Sequence, residues 1–494
     1  MSELVAGGAA LVVRKYGGSS LSTPDRVRSV ARALADLVAA GRRVVVVVSA
    51  MGRATDRLLA VAGEYAERPE PREVDQLTAT GEQVSAAVLA VALGDLGVRA
   101  CSLTGDQAGI VVTGRPGAGV IERIDTDRVL GRLRRWQVVV VAGFQGRTRD
   151  GDLLTLGRGG SDTTAVALAA ALGSADCEIC TDVPGVHTAD PRAVPGSRRL
   201  PEVSYDVMAE LAGNGAKVLH PRSVAVAERH GVRVRVLHSA WPVAGTTVAA
   251  LPLEEPHRVV GIAHERDLRL VTLHPARGAE ALALLVERGL HPDVQSWQDG
   301  RGFRFAVRGR APLRALVDGV AGELGARWSV EEDLGAVSLV GVGLFDDRRY
   351  LTGVLRVLAD LGAPVTTVTT SSSRFTAVLP ADLVEPAVRA LHEAFLPPPT
   401  TPDPVAAEVA DHLGDFARPP DRTPAGFVPP PATPGAVADR ASDRLAAADV
   451  VPPRAGSAAD TALSSPDRVS PADVVLPSPT SADPSADVVA EEAR

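Results

Sequence analysis

The stretch RRVVVVVSAM, residues 42–51, contains five consecutive valines between two arginines and a small polar residue. A continuous β-branched run of this kind is typical of a central parallel strand, which is buried on both faces and so shows no polar alternation. RWQVVVVAGF, residues 135–144, repeats the pattern. The two runs predict central strands of one largely parallel sheet.

Helical segments lie between these strands. Thr23, Pro24 and Asp25 supply an N-cap, a proline at the first helical position and an acidic first turn. The apolar residues that follow have the i, i+3, i+4, i+7 spacing of a helix packed on one face, namely Val27, Val30, Ala31, Leu34, Leu37 and Val38. Strands and helices alternate from Val12 to about Val248, which predicts an α/β sandwich with a mainly parallel central sheet.

After about residue 257 the elements become shorter and follow a strand–helix–strand order twice. Two βαββαβ-like units, or ferredoxin-like α+β modules in tandem, fit this order. From residue 398 the chain is rich in Pro, Ala, Asp and Ser and has too little apolar surface to order itself. We therefore predict four segments: residues 1–250, 258–331, 332–397 and a disordered tail, 398–494.

Composition limits the class of protein. Of 494 residues, 52 are basic and 60 are acidic, so the net charge is −8, which argues against a nucleic-acid partner. Three cysteines cannot form a disulfide framework, as is usual in a reducing compartment. The N-terminus has no signal-peptide pattern, and the apolar runs are shorter than a membrane span. We expect a cytoplasmic protein with no membrane partner.

Lysine is rare in this chain, and its two occurrences indicate candidate functional positions. Only two of the 52 basic residues are lysine, Lys15 and Lys217, and both lie beside glycine-rich turns. A compact ammonium can approach a single phosphate oxygen as a point charge, whereas guanidinium is a broad planar fork. VVRKYGGSS, residues 12–20, places Lys15 between a strand and a Gly17-Gly18 turn, which favours a phosphate-binding role.

A second glycine-rich turn, TLGRGGSDTTAVALAAALG at residues 155–173, leads directly into a helix. The start of a helix favours anions because its backbone N–H groups are unpaired and its dipole is positive there. The turn contains neither a P-loop nor a dinucleotide fingerprint, since residues 157–162 are GRGGSD. Arg158 and Asp162 add opposite charges that a simple phosphate cradle does not need.

Seven motifs together carry a family resemblance. They occur in this order across residues 11–240: KYGGSS, VVVVVSAMGRATD, TGEQVSA, AGFQG, LGRGGSDTTA, TDVPGVHTADPR and GAKVLHPRSV. The ordered set resembles the aspartokinases of the amino acid kinase family, and the tandem modules resemble the ACT regulatory pair of that family. The resemblance implies transfer of the ATP γ-phosphoryl group to the β-carboxylate of L-aspartate. This step leads to lysine, threonine and methionine or to a specialised aspartate-derived metabolite.

The resemblance also assigns roles to individual residues. Lys15 and Asp162 are catalytic, Asp162 orienting Lys15 or a water on the Mg²⁺ that the nucleotide carries; no resident metal is expected. The residues assigned to ATP are Lys15, Tyr16, Gly17, Gly18, Thr181, Asp182, His187, Asp190, Arg192 and Lys217. The residues assigned to aspartate are Ser49, Thr55, Glu82, Arg158, Gly159, Gly160 and Ser161.

The chemistry of these side chains suits such a reaction. Arg158 can clamp the α-carboxylate of the acceptor with two hydrogen bonds, and Glu82 can pair with its ammonium. The acceptor carboxylate is already ionised at neutral pH, so no catalytic histidine is required. His187 departs from the tyrosine common at that position, from which we expect altered nucleotide affinity rather than lost activity. CEIC, residues 177–180, is not expected to bind metal, because residues three apart on a strand face opposite sides.

The regulatory half departs further from the family. ACT modules of the family carry Asn-Ile on the strand after the first helix, and neither LHPDV, residues 290–294, nor GAPVTTV, residues 362–368, retains it. The helix starts HPARGAE, residues 274–280, and FDDRRYL, residues 345–351, also differ. We expect weak or absent feedback by lysine or threonine and a homodimer formed through the ACT-like modules.

Two other functions remain open from the sequence. The same fold could phosphorylate glutamate, acetylglutamate or another amino-acid carboxylate, although relatives with those acceptors usually lack ACT modules. Alternatively, the chain could be a non-catalytic subunit that senses amino acids. That function predicts an eroded kinase half and intact effector sites, which is the reverse of what the sequence shows.

Overall fold

A computed structural model describes residues 11–397, apart from 241–243, 252–257, 276, 291, 299–301, 310–312 and 345–346. The predicted tail, residues 398–494, lies outside the described residues. The strands up to residue 249 are β1 Leu11–Tyr16, β2 Arg43–Val48, β3 Ala100–Leu103, β4 Ile110–Thr113, β5 Val120–Ile124, β6 Val138–Ala142, β7 Gln145–Arg147, β8 Leu153–Thr155, β9 Asp176–Thr181, β10 Glu202–Ser204, β11 Arg233–His238 and β12 Thr246–Ala249. The helices are α1 Pro24–Ala39, α2 Ala54–Tyr65, α3 Pro71–Asp95, α4 Asp127–Leu133, α5 Gly160–Ala171, α6 Tyr205–Gly213 and α7 Pro221–His230.

The central sheet of this half has eight strands in the order β10-β12-β11-β9-β1-β2-β6-β3. Every pairing is parallel except the one between β11 and β12. A four-stranded sheet, β5-β4-β7-β8, lies apart from it. The predicted α/β class with a mainly parallel central sheet is confirmed.

The valine run of β2 explains why this sheet is central. Val45 and Val47 pack into one core cluster, and Val44, Val46 and Val48 pack into another. All five are fully buried, because helices cover both faces of the strand. The run therefore reflects burial on two sides, as the sequence predicted.

Helix α1 begins where the sequence indicated. The Thr23 hydroxyl accepts a hydrogen bond from the Arg26 backbone N–H at 3.3 Å, and Pro24 is the first helical residue. By length and composition alone, α3 is the one helix in the described part of the chain that could cross a membrane. Its buried face includes Asp75 and Glu82, which hydrogen-bond inside the domain, as expected of a core helix.

The second half, after residue 257, forms one six-stranded antiparallel sheet in the order β14-β15-β13-β16-β18-β17. Its elements are β13 Arg258–His274, α8 Gly278–Glu287, β14 Asp293–Gln298, β15 Gly302–Arg308, α9 Arg314–Leu324, β16 Arg327–Val342, α10 Arg348–Asp360, β17 Thr367–Thr370, β18 Arg374–Pro380 and α11 Val384–Phe395.

Two long strands join the two ferredoxin-like units of this sheet. β13 and β16 pair along most of their length, with register shifts between Glu265 and Leu268 and between Leu268 and Leu270. One side of that pair carries β14 and β15, and the other carries β17 and β18. The boundaries at residues 250, 331 and 397 stay a prediction, since two strands contribute to both units.

Candidate active site

The candidate site lies at the carboxyl edge of the central sheet. Tyr16, the last residue of β1, is in register with Val48 of β2 and with Cys180 of β9, and Val48 is in register with Ala142 of β6. The turns after these four strands therefore meet at one edge. They begin at Gly17, Ser49, Gly143 and Asp182. In open α/β sheets ligands bind outside the carboxyl ends of the strands.

Lys15 and Asp162 form an ion pair at this edge. The Lys15 Nζ lies 2.7 Å from the Asp162 Oδ1, and about an eighth of each side chain is exposed. A Cβ added to Gly17 would lie 3.4 Å from the Nζ, so the ammonium sits against the glycine turn. Asp162 is in the first turn of α5, where the helix dipole favours a negative charge. The contact is the one that an orienting role of Asp162 toward Lys15 requires, and the role itself stays a prediction.

Glycines allow close backbone approaches around the pair. A Cβ on Gly18 would lie 2.4 Å from the Ala50 carbonyl oxygen, so the two turns are in contact. Gly159 has a φ of +69°, and a Cβ there would lie 2.1 Å from the His220 Cγ. Neither position can carry a side chain without displacing its neighbour, which fixes the shape of both loops.

Glu82 provides a buried carboxylate beside the turn after β2. Its side chain is 3 % exposed, and its Oε1 accepts a hydrogen bond from the Ala50 backbone N–H at 3.0 Å. The other oxygen, Oε2, is buried and has no hydrogen-bond partner among the described residues. Burial raises the pKa of Glu82 to about 7. An unpaired buried carboxylate oxygen is costly, and a cationic ligand would satisfy it.

The other residues predicted to bind the acceptor surround this region. Ser49 directly follows β2, and its backbone N–H donates to the Tyr16 carbonyl at 3.1 Å. Thr55 lies half-buried in the first turn of α2. Ser161 is buried at the start of α5, where a Cβ on Gly143 would lie 2.9 Å from its Oγ. Gly160, the first residue of α5, is buried beside it.

Arg158 is the exposed cation of the group. Its side chain faces solvent and makes no ion pair with any residue in the described ranges. An unpaired guanidinium at the start of a helix provides two parallel donors for a carboxylate. A surface ion pair, the simplest alternative for an arginine here, is absent from this part of the structure.

A cleft of about 640 Å³ adjoins the end of β9. Five of the residues predicted to bind ATP line it: Asp182, His187, Asp190, Arg192 and Lys217. Thr181 is the last residue of β9, and its hydroxyl donates a hydrogen bond to the Asp182 Oδ1 at 3.1 Å. The Tyr16 ring is buried in the core cluster of the valine strands, so only its backbone lies at the site.

Sequence reasoning missed some residues at the site. The His220 ring packs against Gly159, where it occupies the position that a Cβ would need. Its Nδ1 accepts a hydrogen bond from the Arg222 backbone N–H at 3.3 Å. Burial lowers the pKa of His220, which favours the neutral ring. His220 could have been found, since it belongs to GAKVLHPRSV. His264 and Glu265 of β13 also line the cleft, and sheet topology alone brings them there.

The cysteine pair behaves as the strand geometry predicted. Cys177 packs into the core on one face of β9 and Cys180 into the core on the other. Within the described ranges no group of three or more His, Cys, Asp or Glu side chains converges as a metal site.

The parallel sheet, the glycine turns and the Lys15–Asp162 pair fit a kinase that acts on a small acid. Residues 10–238 match the model of the amino acid kinase family. The chain is 40 % identical over 399 residues to an aspartokinase of Thermus thermophilus, and covers 98 % of that protein with 78 % of its own length. It is likewise 40 % identical over 395 residues to an aspartokinase of Geobacillus stearothermophilus, covering 97 % of it. This chain belongs to the aspartokinase family.

A solved structure agrees over the same length. The crystal structure of E. coli aspartokinase III in complex with aspartate and ADP, in the R-state, is similar with a TM-score of 0.68 and 27 % identity. The similarity covers 78 % of this chain and 99 % of that one. The agreement therefore includes both the kinase half and the six-stranded sheet.

Proposed function

We propose that this chain transfers the γ-phosphoryl group of ATP to the β-carboxylate of L-aspartate and so forms 4-phospho-L-aspartate. The observation that carries the proposal is the Lys15–Asp162 ion pair, which lies at the carboxyl edge of the sheet. Glu82 and Arg158 lie on the acceptor side, and the cleft after β9 lies on the nucleotide side. Aspartokinase III of E. coli, which this chain resembles, was crystallised with aspartate and ADP.

On the nucleotide side, the protein supplies positioning and positive charge. Phosphoryl transfer develops negative charge on the equatorial oxygens, and fixed cations stabilise it without reorganisation. Lys15 is the fixed cation here, since Asp162 and the Gly17 turn hold its Nζ in place. The Gly17 and Gly18 turn gives phosphate oxygens close access to backbone N–H groups. Lys217 is exposed at the border of the cleft and can approach the nucleotide from its other end.

On the acceptor side, three groups recognise the three charges of aspartate. Arg158 binds the α-carboxylate, and the unpaired Glu82 Oε2 binds the ammonium. The β-carboxylate is then directed toward the start of α5, where Ser161 and the helix dipole favour an anion. A carboxylate nucleophile is ionised at neutral pH, so none of the residues has to remove a proton.

The residues present also fit a magnesium nucleotide. Asp182 lines the cleft and Asp162 borders Lys15, so carboxylates are available to orient water on a hard cation. When bound, Mg²⁺ neutralises phosphate charge. The protein residues hold the nucleotide and the acceptor in line.

The alternative functions have less support. Acetylglutamate lacks the free ammonium with which Glu82 would pair, and the relatives found at 40 % identity are named aspartokinases. A sensing subunit would not need a preserved Lys15–Asp162 pair. A homodimer through the six-stranded sheet region and a cytoplasmic location belong to the proposal as well.

Trapping of the acyl phosphate tests the proposal directly. Full-length protein is incubated with ATP, magnesium, hydroxylamine and one amino acid at a time, and the hydroxamate is measured. We expect hydroxamate with L-aspartate and none with glutamate or acetylglutamate. Product with another acid would change the acceptor, and no product with any acid from folded protein would favour the sensing function.

A further inference from the structure

Thr188 lies in the loop of residues 181–192, between two residues that line the nucleotide cleft. His187 and Ala189 line the cleft, whereas Thr188 is 2 % exposed and points away from it. Its hydroxyl oxygen accepts a hydrogen bond from the Arg198 backbone N–H at 2.9 Å. The same oxygen lies 2.9 Å from the Nε2 of His392, a buried residue of α11.

The backbone of Thr188, like its side chain, is hydrogen-bonded both to the kinase half and to the part of the chain after residue 257. Its N–H donates to the Arg198 carbonyl at 2.8 Å, within the kinase half. Its carbonyl accepts from the Ile262 N–H of β13 at 2.7 Å. Two of its four hydrogen bonds therefore come from the part of the chain after residue 257.

α11 makes a second contact with the same segment. Arg389 donates to the Ala193 carbonyl at 3.1 Å and pairs with Glu385 at 2.8 Å. Glu385 in turn pairs with Arg266 of β13, which lines the cleft. Glu385, Arg389 and His392 are spaced by four and three residues, so they lie on one face of the helix.

We propose that His392 is a positioning residue for the nucleotide, acting through Thr188 on the 181–192 loop. This inference rests on the proposed kinase function. The ring has no contact with the cleft, and its effect is to hold the backbone between His187 and Asp190. Burial, with the Arg198 guanidinium nearby, lowers the pKa of His392, which favours the neutral ring. A neutral ring can either accept the Thr188 hydroxyl proton or donate to its oxygen.

The specific consequence is a change in nucleotide binding without a matching change in aspartate binding. Removal of either partner leaves a buried polar group unsatisfied, and the loop shifts to relieve it. Glu82 and Arg158 belong to other elements, α3 and the turn before α5, so the acceptor side keeps its geometry. Substitution of a residue that only stabilised the fold would weaken the binding of ATP and of aspartate to a similar extent.

The test compares His392→Leu, His392→Gln and Thr188→Val in the full-length protein. His230→Leu is the matched control, because His230 is exposed at the end of α7. The measurements are the two KM values from ADP formation and the Kd of Mg-ADP from titration calorimetry. The titration of Mg-ADP by calorimetry needs no turnover. It therefore tests the effect of His392 on nucleotide binding even if aspartate is not the acceptor.

For His392→Leu and Thr188→Val we expect the KM for ATP and the Kd for Mg-ADP to rise about tenfold, with the KM for aspartate within a factor of about two. His392→Gln, whose amide can still bond to Thr188, should recover most of the binding. The double variant His392→Leu with Thr188→Val should bind Mg-ADP no more weakly than Thr188→Val alone, because Thr188→Val already removes the bond to His392 together with the bond from the Arg198 N–H. An unchanged Kd in folded variants, equal shifts of both KM values, or no recovery by glutamine overturns the inference. If His392→Leu does not fold, His392→Ala takes its place, because Thr188→Val also removes the bond from the Arg198 N–H.

Discussion

Lys15 and Asp162 are joined by a 2.7 Å contact between Nζ and Oδ1, although they come from the first strand and from the fifth helix of the fold. The lysine is one of only two in the chain. The contact fixes a positive charge at the edge where four parallel strands end. The first prediction follows from the shape of that cation.

Lys15→Arg should lower kcat at least about 100-fold although the charge is retained. The Nζ fits against Gly17, where a Cβ would lie only 3.4 Å away, and a planar guanidinium is too wide for that space. Hydroxamate formation from aspartate measures the loss. Arg28→Lys is the control, because Arg28 is exposed and, among the described residues, pairs with Asp25 alone on the surface of α1. Near-normal turnover of Lys15→Arg would contradict the phosphate role.

Asp162→Asn should reduce both turnover and stability. It leaves a largely buried ammonium without its partner, which costs about 3 kcal/mol in the free energy of unfolding. The double variant Lys15→Met with Asp162→Leu should regain stability but not activity, since an apolar pair replaces a buried ion pair. Denaturant unfolding measures the first quantity and hydroxamate formation the second. A double variant less stable than Asp162→Asn would show that the pair itself stabilises the fold.

The activity with aspartate should depend on pH through Glu82. Burial raises the pKa of Glu82 to about 7, so below pH 7 the carboxyl of the free enzyme holds its proton. Only the ionised form pairs with the substrate ammonium. kcat/KM for aspartate should therefore fall about tenfold per pH unit below pH 7 and level off above it.

ADP formation at saturating ATP checks this profile. Bound ammonium stabilises the carboxylate, so kcat should be less pH-dependent than kcat/KM. Glu82→Gln should have low activity and a flat profile from pH 6 to 8. A wild-type profile that is flat over that range would exclude Glu82 as the ammonium partner.

Gly159→Ala should inactivate the enzyme, whereas Gly41→Ala should not. Both glycines have a positive φ, so both alanines cost about 1 kcal/mol in backbone strain. A Cβ at Gly41 meets nothing within 4 Å, but at Gly159 it would lie 2.1 Å from the His220 Cγ and displace the loop that carries Arg158. Displacement of a substrate-binding loop by about 1 Å costs about 100-fold in rate. Thermal unfolding and hydroxamate formation separate strain from misplacement, and equal activities of the two variants would contradict the loop assignment.

Millimolar lysine, threonine or both should leave the activity nearly unchanged. Neither ACT-like unit retains Asn-Ile on the strand after its first helix, the dipeptide that the family resemblance implies for effector binding. The stretch 362–368 lies in the described structure, whereas residues 276, 291 and 345–346 of the related stretches lie outside it. ADP formation with increasing effector checks the expectation. Strong inhibition by either amino acid would show that effector binding uses other residues.

The sequence alone determined the fold class and most of the kinase half. A short run of β-branched valines is typical of a strand covered on both faces, so β2 and β6 were predictable from a local pattern. The helix start at Thr23 depends on residues next to one another, and it too was predictable. The ordered motifs placed Lys15 and Asp162 in one predicted site, and the structure brings these two side chains together.

Only the tertiary structure decided contacts between residues distant in the chain. It showed that the Glu82 Oε2 is buried and unpaired, that Arg158 has no partner in the described ranges, and that the Tyr16 ring packs in the core. It also brought His392 to Thr188. Local patterns reflect propensity and burial, whereas these contacts depend on how separate elements pack. The Lys15–Asp162 contact could be expected only because the ordered motifs resemble a known family.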